Sequence, residues 1–78
     1  MTNKEKYTEA FRKSFENDNL IFEDLEYQSI NEWDSIGHLF LTSNIEEMFG
    51  ITFEIDDITE FSSYRKGIEI LKKYDLEF

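Results

Sequence analysis

One short stretch of this chain gathers residues that could do chemistry: Trp33-Asp34-Ser35-Ile36-Gly37-His38, at the start of an apolar segment. An acid, a hydroxyl and an imidazole so close together invite comparison with a nucleophilic triad. Such a triad needs a base converging on the hydroxyl and an oxyanion hole. Asp34, Ser35 and His38 lie on one helical turn, where side chains point outward, and a chain this small seldom supplies the pocket. No catalytic residue is assigned. Metal binding fails on spacing. The acids around Asp18 and Asp24 lack the glycine at the sixth position and the glutamate at the twelfth that a calcium loop requires. His38 is the sole histidine and has no second soft ligand, so an exposed or capping role is expected for it.

A different chemistry suits Ser35. Asp and Ser before a helix accept its first backbone N–H bonds, a capping role that stabilises by about 0.5–2 kcal/mol, and that explains both residues. A helix N-terminus is also where a phosphate ester is best tolerated, because free N–H groups and the dipole favour anions. Ser35 therefore reads either as a cap or as an attachment point.

The elements that would position it follow from periodicity. Tyr7, Ala10, Phe11 and Phe15 recur at helical spacing and predict an amphipathic first helix. Residues 16–34 are rich in short polar side chains that favour turns. A loop of that length is uncommon in a compact domain and often functional, so its apolar members Leu20, Ile21, Phe22, Leu25, Ile30 and Trp33 are expected to pin it across the core. "SIGHLFLTSNIEEMF" predicts a second helix ended by Gly50, which suits the left-handed position beyond a helix. "ITFEI" follows as an extended connector, then a brief third helix opened by Asp56 and Asp57, whose charge favours the positive end of the dipole. Ser62 or Ser63 caps the last helix, "YRKGIEILKKY", with Ile68, Leu71 and Tyr74 inward. The fold class is all-α: a four-helix bundle with three longer helices, one short third helix, and a long loop between the first two. The second helix is apolar on two sides. Leu41, Ile45, Met48 and Phe49 share one arc; Ile36, Leu39 and Phe40 share the other, flanking Ser43 and Glu47. One arc faces the core, and the other is either enclosed by a neighbour or left as an exposed patch.

Composition narrows the classes of function. The 78 residues make one domain, residues 1–78, and a chain so short buries only about 60% of its unfolded surface. With no cysteine, aromatics must carry the core: eight Phe, four Tyr and one Trp. No apolar run approaches the roughly 18 residues of a membrane span, and "MTNKEKYTEAFRK" has no apolar core of a secretory signal. A cytoplasmic monomer without membrane insertion is expected. The net charge is −10, and from Ser14 to Tyr64 there are thirteen acids and no Lys or Arg. That field repels phosphate backbones, excluding nucleic acid as a partner and leaving an acidic decoy of nucleic acid with charge alone in its favour. It steers the domain toward basic protein surfaces, unless it serves solubility only.

Taken together, the chain resembles the acyl carrier protein family. The resemblance covers nearly its whole length: a first helix, a long loop, "WDSIGHL" opening the second helix, "IEEMFGITF" closing it, "DDI" starting a short third helix, and "YRKGIEILKKY" as the last. It implies that Ser35 receives phosphopantetheine from coenzyme A through a phosphopantetheinyl transferase, and that the arm's thiol carries acyl or aminoacyl groups as thioesters. Asp34 is then the acid read by the transferase, and Ile36 the aliphatic residue read by partners. Leu39, Phe40 and Glu47 fall on the partner-facing arc, and Asp56 and Asp57 on the acidic start of the third helix. Leu41, Ile45 and Phe49 match core positions. The implied partners are the transferase, an acyl- or aminoacyl-loading enzyme, and an acyltransferase or synthase of a fatty-acid-like, polyketide or other specialised pathway. Gly37 and Phe40 depart from the family, whose members often have an acid or small residue there; Gly37 costs up to about 1 kcal/mol of helix propensity, and Phe40 makes the patch greasier. Trp33 looks more like carriers of polyketide, peptide or saccharide-modifying clusters. The alternative is an unmodified carrier-like domain acting as an acidic protein-interaction module.

Charge alone generates one prediction. Thirteen acids without an interspersed base repel one another, so added salt or divalent cations should raise the melting temperature (Tm). A thermal melt at low and moderate ionic strength checks this; an unchanged Tm would show the acids too far apart to matter.

Overall fold

A computed structural model describes all 78 residues. It contains four helices and no strand: α1 (Asn3–Phe15), α2 (Ser35–Phe49), α3 (Ile55–Glu60) and α4 (Tyr64–Lys72), with a 3-10 turn at Phe22–Asp24. The all-helical class and the order of long and short helices are as the periodicity predicts. No helix is long and apolar enough to cross a membrane.

α1 begins at a capping box. The Thr2 hydroxyl accepts from the Glu5 N–H, and the Glu5 carboxylate accepts from the Thr2 N–H, satisfying two donors that a helix start otherwise leaves free. Tyr7, Ala10, Phe11 and Phe15 all turn inward. Phe11 is the hub of the core, with the rings of Tyr7, Tyr64, Trp33 and Phe15 between 5.0 and 5.8 Å away. Three of these four meet it near edge-on, at 73°, 80° and 82°, the arrangement the ring quadrupole favours. The Tyr7 hydroxyl donates 2.6 Å to the Tyr64 carbonyl, and burial pushes this phenol well above its usual value, so it stays a donor. No buried side-chain nitrogen or oxygen lacks a partner. Beyond α4, Phe78 returns to pack on Tyr7 and Phe49.

The long loop is structured. Phe22, Leu25 and Trp33 are buried, Leu20 and Ile30 pack partly, and only Ile21 stands out, 69% exposed. Its middle is sewn to the start of α4 by an isolated antiparallel bridge, in which Tyr27 N–H donates to Ser62 O and Tyr64 N–H to Leu25 O, both at 2.9 Å. Of the two serines before α4, Ser63 is the cap, its hydroxyl accepting from Lys66 N–H. Residues 51–54 join α2 to α3 without helix or strand, one residue fewer than expected because Ile55 already opens α3.

Two features depart from expectation. Asp57 was expected among the partner-facing acids. It is 5% exposed, with one carboxylate oxygen 2.6 Å from Lys73 Nζ and the other accepting from the Tyr74 hydroxyl. The polar residue at the start of a short helix is thus spent on tying α3 to the chain beyond α4. Gly37 reads as a propensity cost in sequence, yet a Cβ placed there would lie 2.0 Å from the Glu32 carbonyl oxygen. The loop crosses the first turn of α2 so closely that only glycine fits.

Two stability predictions follow. Gly37→Ala should destabilise by about 1–3 kcal/mol on urea unfolding, because backbone must move, although alanine is the better helix former. An alanine variant as stable as the natural chain would overturn this. Hydrogen bonds from Lys73 first, and then Tyr74, hold the Asp57 carboxyl below its ordinary 3.8. A lowered folded value gives stability that is present above the unfolded value and lost as pH falls through the folded one. The Tm gap between the natural chain and Asp57→Asn should be full near neutrality and close below about pH 4. A gap independent of pH would show that the charge contributes nothing.

Candidate functional site

Asp34 is the N-cap of α2. Its Oδ1 accepts from the Gly37 N–H at 2.8 Å, and its carbonyl accepts from His38 N–H. Ser35 is the first helical residue, so the capping duty that sequence allots to both residues falls to Asp34 alone. The Ser35 hydroxyl is exposed, and its one side-chain partner is the Tyr27 hydroxyl, 3.2 Å away. The N–H groups of Ser35 and Ile36 have no acceptor within the chain, as the geometry of a helix start dictates. An exposed oxygen nucleophile thus stands at the positive end of a 15-residue helix.

Below it the two faces of α2 separate cleanly. Leu41 and Ile45 are fully buried, and Met48 and Phe49 pack partly against the core. Ile36, Leu39 and Phe40 are 65%, 62% and 61% exposed. The second apolar arc is therefore an open patch, because no element covers it. Glu47 is exposed on α2, and Asp56 and Ile55 are exposed at the start of α3. Of the expected partner-facing residues, Asp34, Ile36, Leu39, Phe40, Glu47 and Asp56 reach solvent; Asp57 does not.

Three of the eight basic residues, segregated in sequence, fold back onto acids, while Lys13 lines a groove with Phe40 at the edge of this face. Arg12 pairs with Glu9 and Asp18, Arg65 with Asp24, and Lys73 with Asp57. Asp34, Glu47 and Asp56 have no ion pair, so the ground around Ser35 keeps its negative field. Asp18 and Asp24, considered above as calcium ligands, are instead the partners of two arginines.

His38 is neither freely exposed nor a cap. Its Nδ1 accepts from the Trp33 indole N–H at 2.9 Å, and its Nε2 lies 2.8 Å from the Ile58 carbonyl oxygen. An indole can only donate and a carbonyl can only accept, which assigns the proton to Nε2. The ring is a brace joining the loop end, α2 and α3. Beside it is an open groove of about 320 Å³, lined by Tyr27, His38, Ile58, Thr59, Phe61 and Ser62. Tyr27 and this groove escaped sequence reasoning; Tyr27 sits in a stretch without period, eight residues from the serine it meets.

These groups present a solvent-facing hydroxyl with a phenol beside it, above an exposed apolar patch. They do not assemble a triad, since His38 has both ring nitrogens engaged elsewhere. Compared with known proteins, the chain matches no family model, no curated protein and no solved structure.

Proposed function

We propose that this chain is a carrier of the acyl carrier type, bearing acyl or aminoacyl groups as thioesters on a phosphopantetheine arm attached to Ser35. The observation that carries the reading is the state of the Ser35 hydroxyl. It is exposed at the first position of α2, relieved of capping by Asp34, and set above an uncovered apolar patch. With Asp34 as the cap, the Ser35 hydroxyl takes no part in closing the helix start. The residues fit the anionic ester, with two free N–H groups and the dipole of a long helix at the attachment atom. The all-helical architecture suits the same reading, and the terminal thiol comes with the arm, in keeping with a chain that has no cysteine.

In the attachment step the Ser35 oxygen forms a bond to the phosphorus next to pantetheine in coenzyme A. The bond from that phosphorus to adenosine 3′,5′-bisphosphate breaks, and the serine proton leaves to a base of the transferase. This chain supplies the acceptor oxygen and the surface that docks. Ile36, Leu39 and Phe40 form the apolar centre of that surface, with Asp34, Glu47 and Asp56 as its charged rim. Such a layout gives fast, salt-dependent association with basic partners and moderate affinity, which suits a domain that must visit a transferase, a loading enzyme and an acyltransferase or synthase in turn.

Incubation with coenzyme A, Mg²⁺ and a broad-specificity phosphopantetheinyl transferase, followed by intact mass, tests the proposal. The expected result is a gain of one phosphopantetheine per chain that disappears in Ser35→Ala. No gain, or a gain that survives the substitution, would leave the acidic interaction module as the better account.

A further inference from the structure

We propose that Tyr27 is the positioning residue for Ser35, holding its hydroxyl in the orientation that accepts the phosphoryl group; this rests on the carrier reading above. The two oxygens lie 3.2 Å apart, and Ser35 has no other side-chain partner. Tyr27 is fixed on several sides. Its N–H donates to Ser62 O in the bridge to α4. Its ring meets His38 at 5.4 Å and Trp33 at 6.4 Å, both near edge-on. His38 is itself held by two hydrogen bonds. The phenol therefore sits on a rigid support, although its residue is 37% exposed and within reach of an incoming protein.

The direction of the hydrogen bond follows from chemistry. A phenol is a stronger donor than an aliphatic alcohol, so Tyr27 donates and Ser35 Oγ accepts. The serine proton is then directed away from the chain, toward the base that must remove it, and a lone pair stays free for phosphorus. An unrestrained serine populates three χ1 wells. The phenol selects one of them without consuming the proton that must leave. When the Oγ–P bond forms and the bond to adenosine 3′,5′-bisphosphate breaks, the donor still faces the new ester and its oxygens.

The experiment measures steady-state modification by a broad-specificity phosphopantetheinyl transferase with coenzyme A, varying the carrier concentration, for the natural chain and Tyr27→Phe. One neutral hydrogen bond predicts a kcat lower by about three- to tenfold, with KM for the carrier and Tm unchanged. A residue that only supported the loop would lower Tm, and one that only docked the partner would raise KM; either pattern with kcat intact overturns the assignment. Should phenylalanine loosen the loop, 3,5-difluorotyrosine placed at position 27 keeps the ring and ionises at lower pH. Its kcat should fall across that ionisation relative to the natural chain, and a superimposable pH profile would overturn the proposal. Absence of modification in the natural chain would remove the carrier reading and this inference together, whereas equal kcat in natural and Tyr27→Phe chains removes the inference alone.

Discussion

The site depends on a short chain of hydrogen bonds, from the Trp33 indole to His38 and from His38 to the Ile58 carbonyl. Each link has a single possible direction, so the imidazole takes one tautomer and one orientation. Through it the end of a long loop, the first turns of α2 and the middle of α3 become one unit. This matters because α3 has only six residues, too few to be stable alone, and makes little close backbone contact with its neighbouring helices. It is held at one side by His38 and at the other by Asp57 bridging to Lys73 and Tyr74. The same imidazole supports the ring of Tyr27. The geometry around Ser35 is thus a consequence of how a small helix and a long loop are fastened.

Charge is sorted by the fold more sharply than by the sequence. The basic residues occupy the two ends of the chain, and packing brings three of them against acids on the loop and on α3. On the outer face of α2 only Lys13 comes near, sharing a groove with Phe40, and it pairs with none of Asp34, Glu47 and Asp56. An apolar patch results on a part of the surface where Asp34, Glu47 and Asp56 are exposed and unpaired. Water screens these charges singly, but together they set a field that reaches a partner before contact. Asp57 shows the cost of reading charge by position: it is in the acidic run, yet its carboxylate is withdrawn from that field.

What was legible in the sequence was what local rules decide. The inward face of α1, the end of α2 at Gly50, with φ +65°, the extended connector and the brief α3 follow from spacing and terminal chemistry. Misread residues are those whose partners lie far along the chain. His38 meets Ile58 twenty residues away, and Asp57 meets Lys73 and Tyr74 sixteen and seventeen residues away. Periodicity could not decide which arc of α2 is open, since both arcs are apolar and only the placement of α1, α3 and the loop breaks the tie. Gly37 was visible only as a helix penalty, because the Glu32 carbonyl that forbids a side chain comes from a loop with no period.

The separation of Asp34 from Ser35 carries a further consequence. A serine that both capped α2 and bore a prosthetic group would change its hydrogen-bonding power on modification, since an ester oxygen accepts less well than a hydroxyl. The helix start would then loosen whenever the group was attached, and the patch one turn below would shift with it. With Asp34 accepting the Gly37 N–H, chemistry at Ser35 Oγ leaves the cap intact. Under the proposed carrier role, Ile36, Leu39 and Phe40 would keep one arrangement whether the oxygen is free or esterified. A partner that must recognise the chain before and after modification then meets the same surface, and distinguishes the states by the arm alone. The adjacent acid and hydroxyl thus divide the work: the first secures the helix, and the second is left out of the cap.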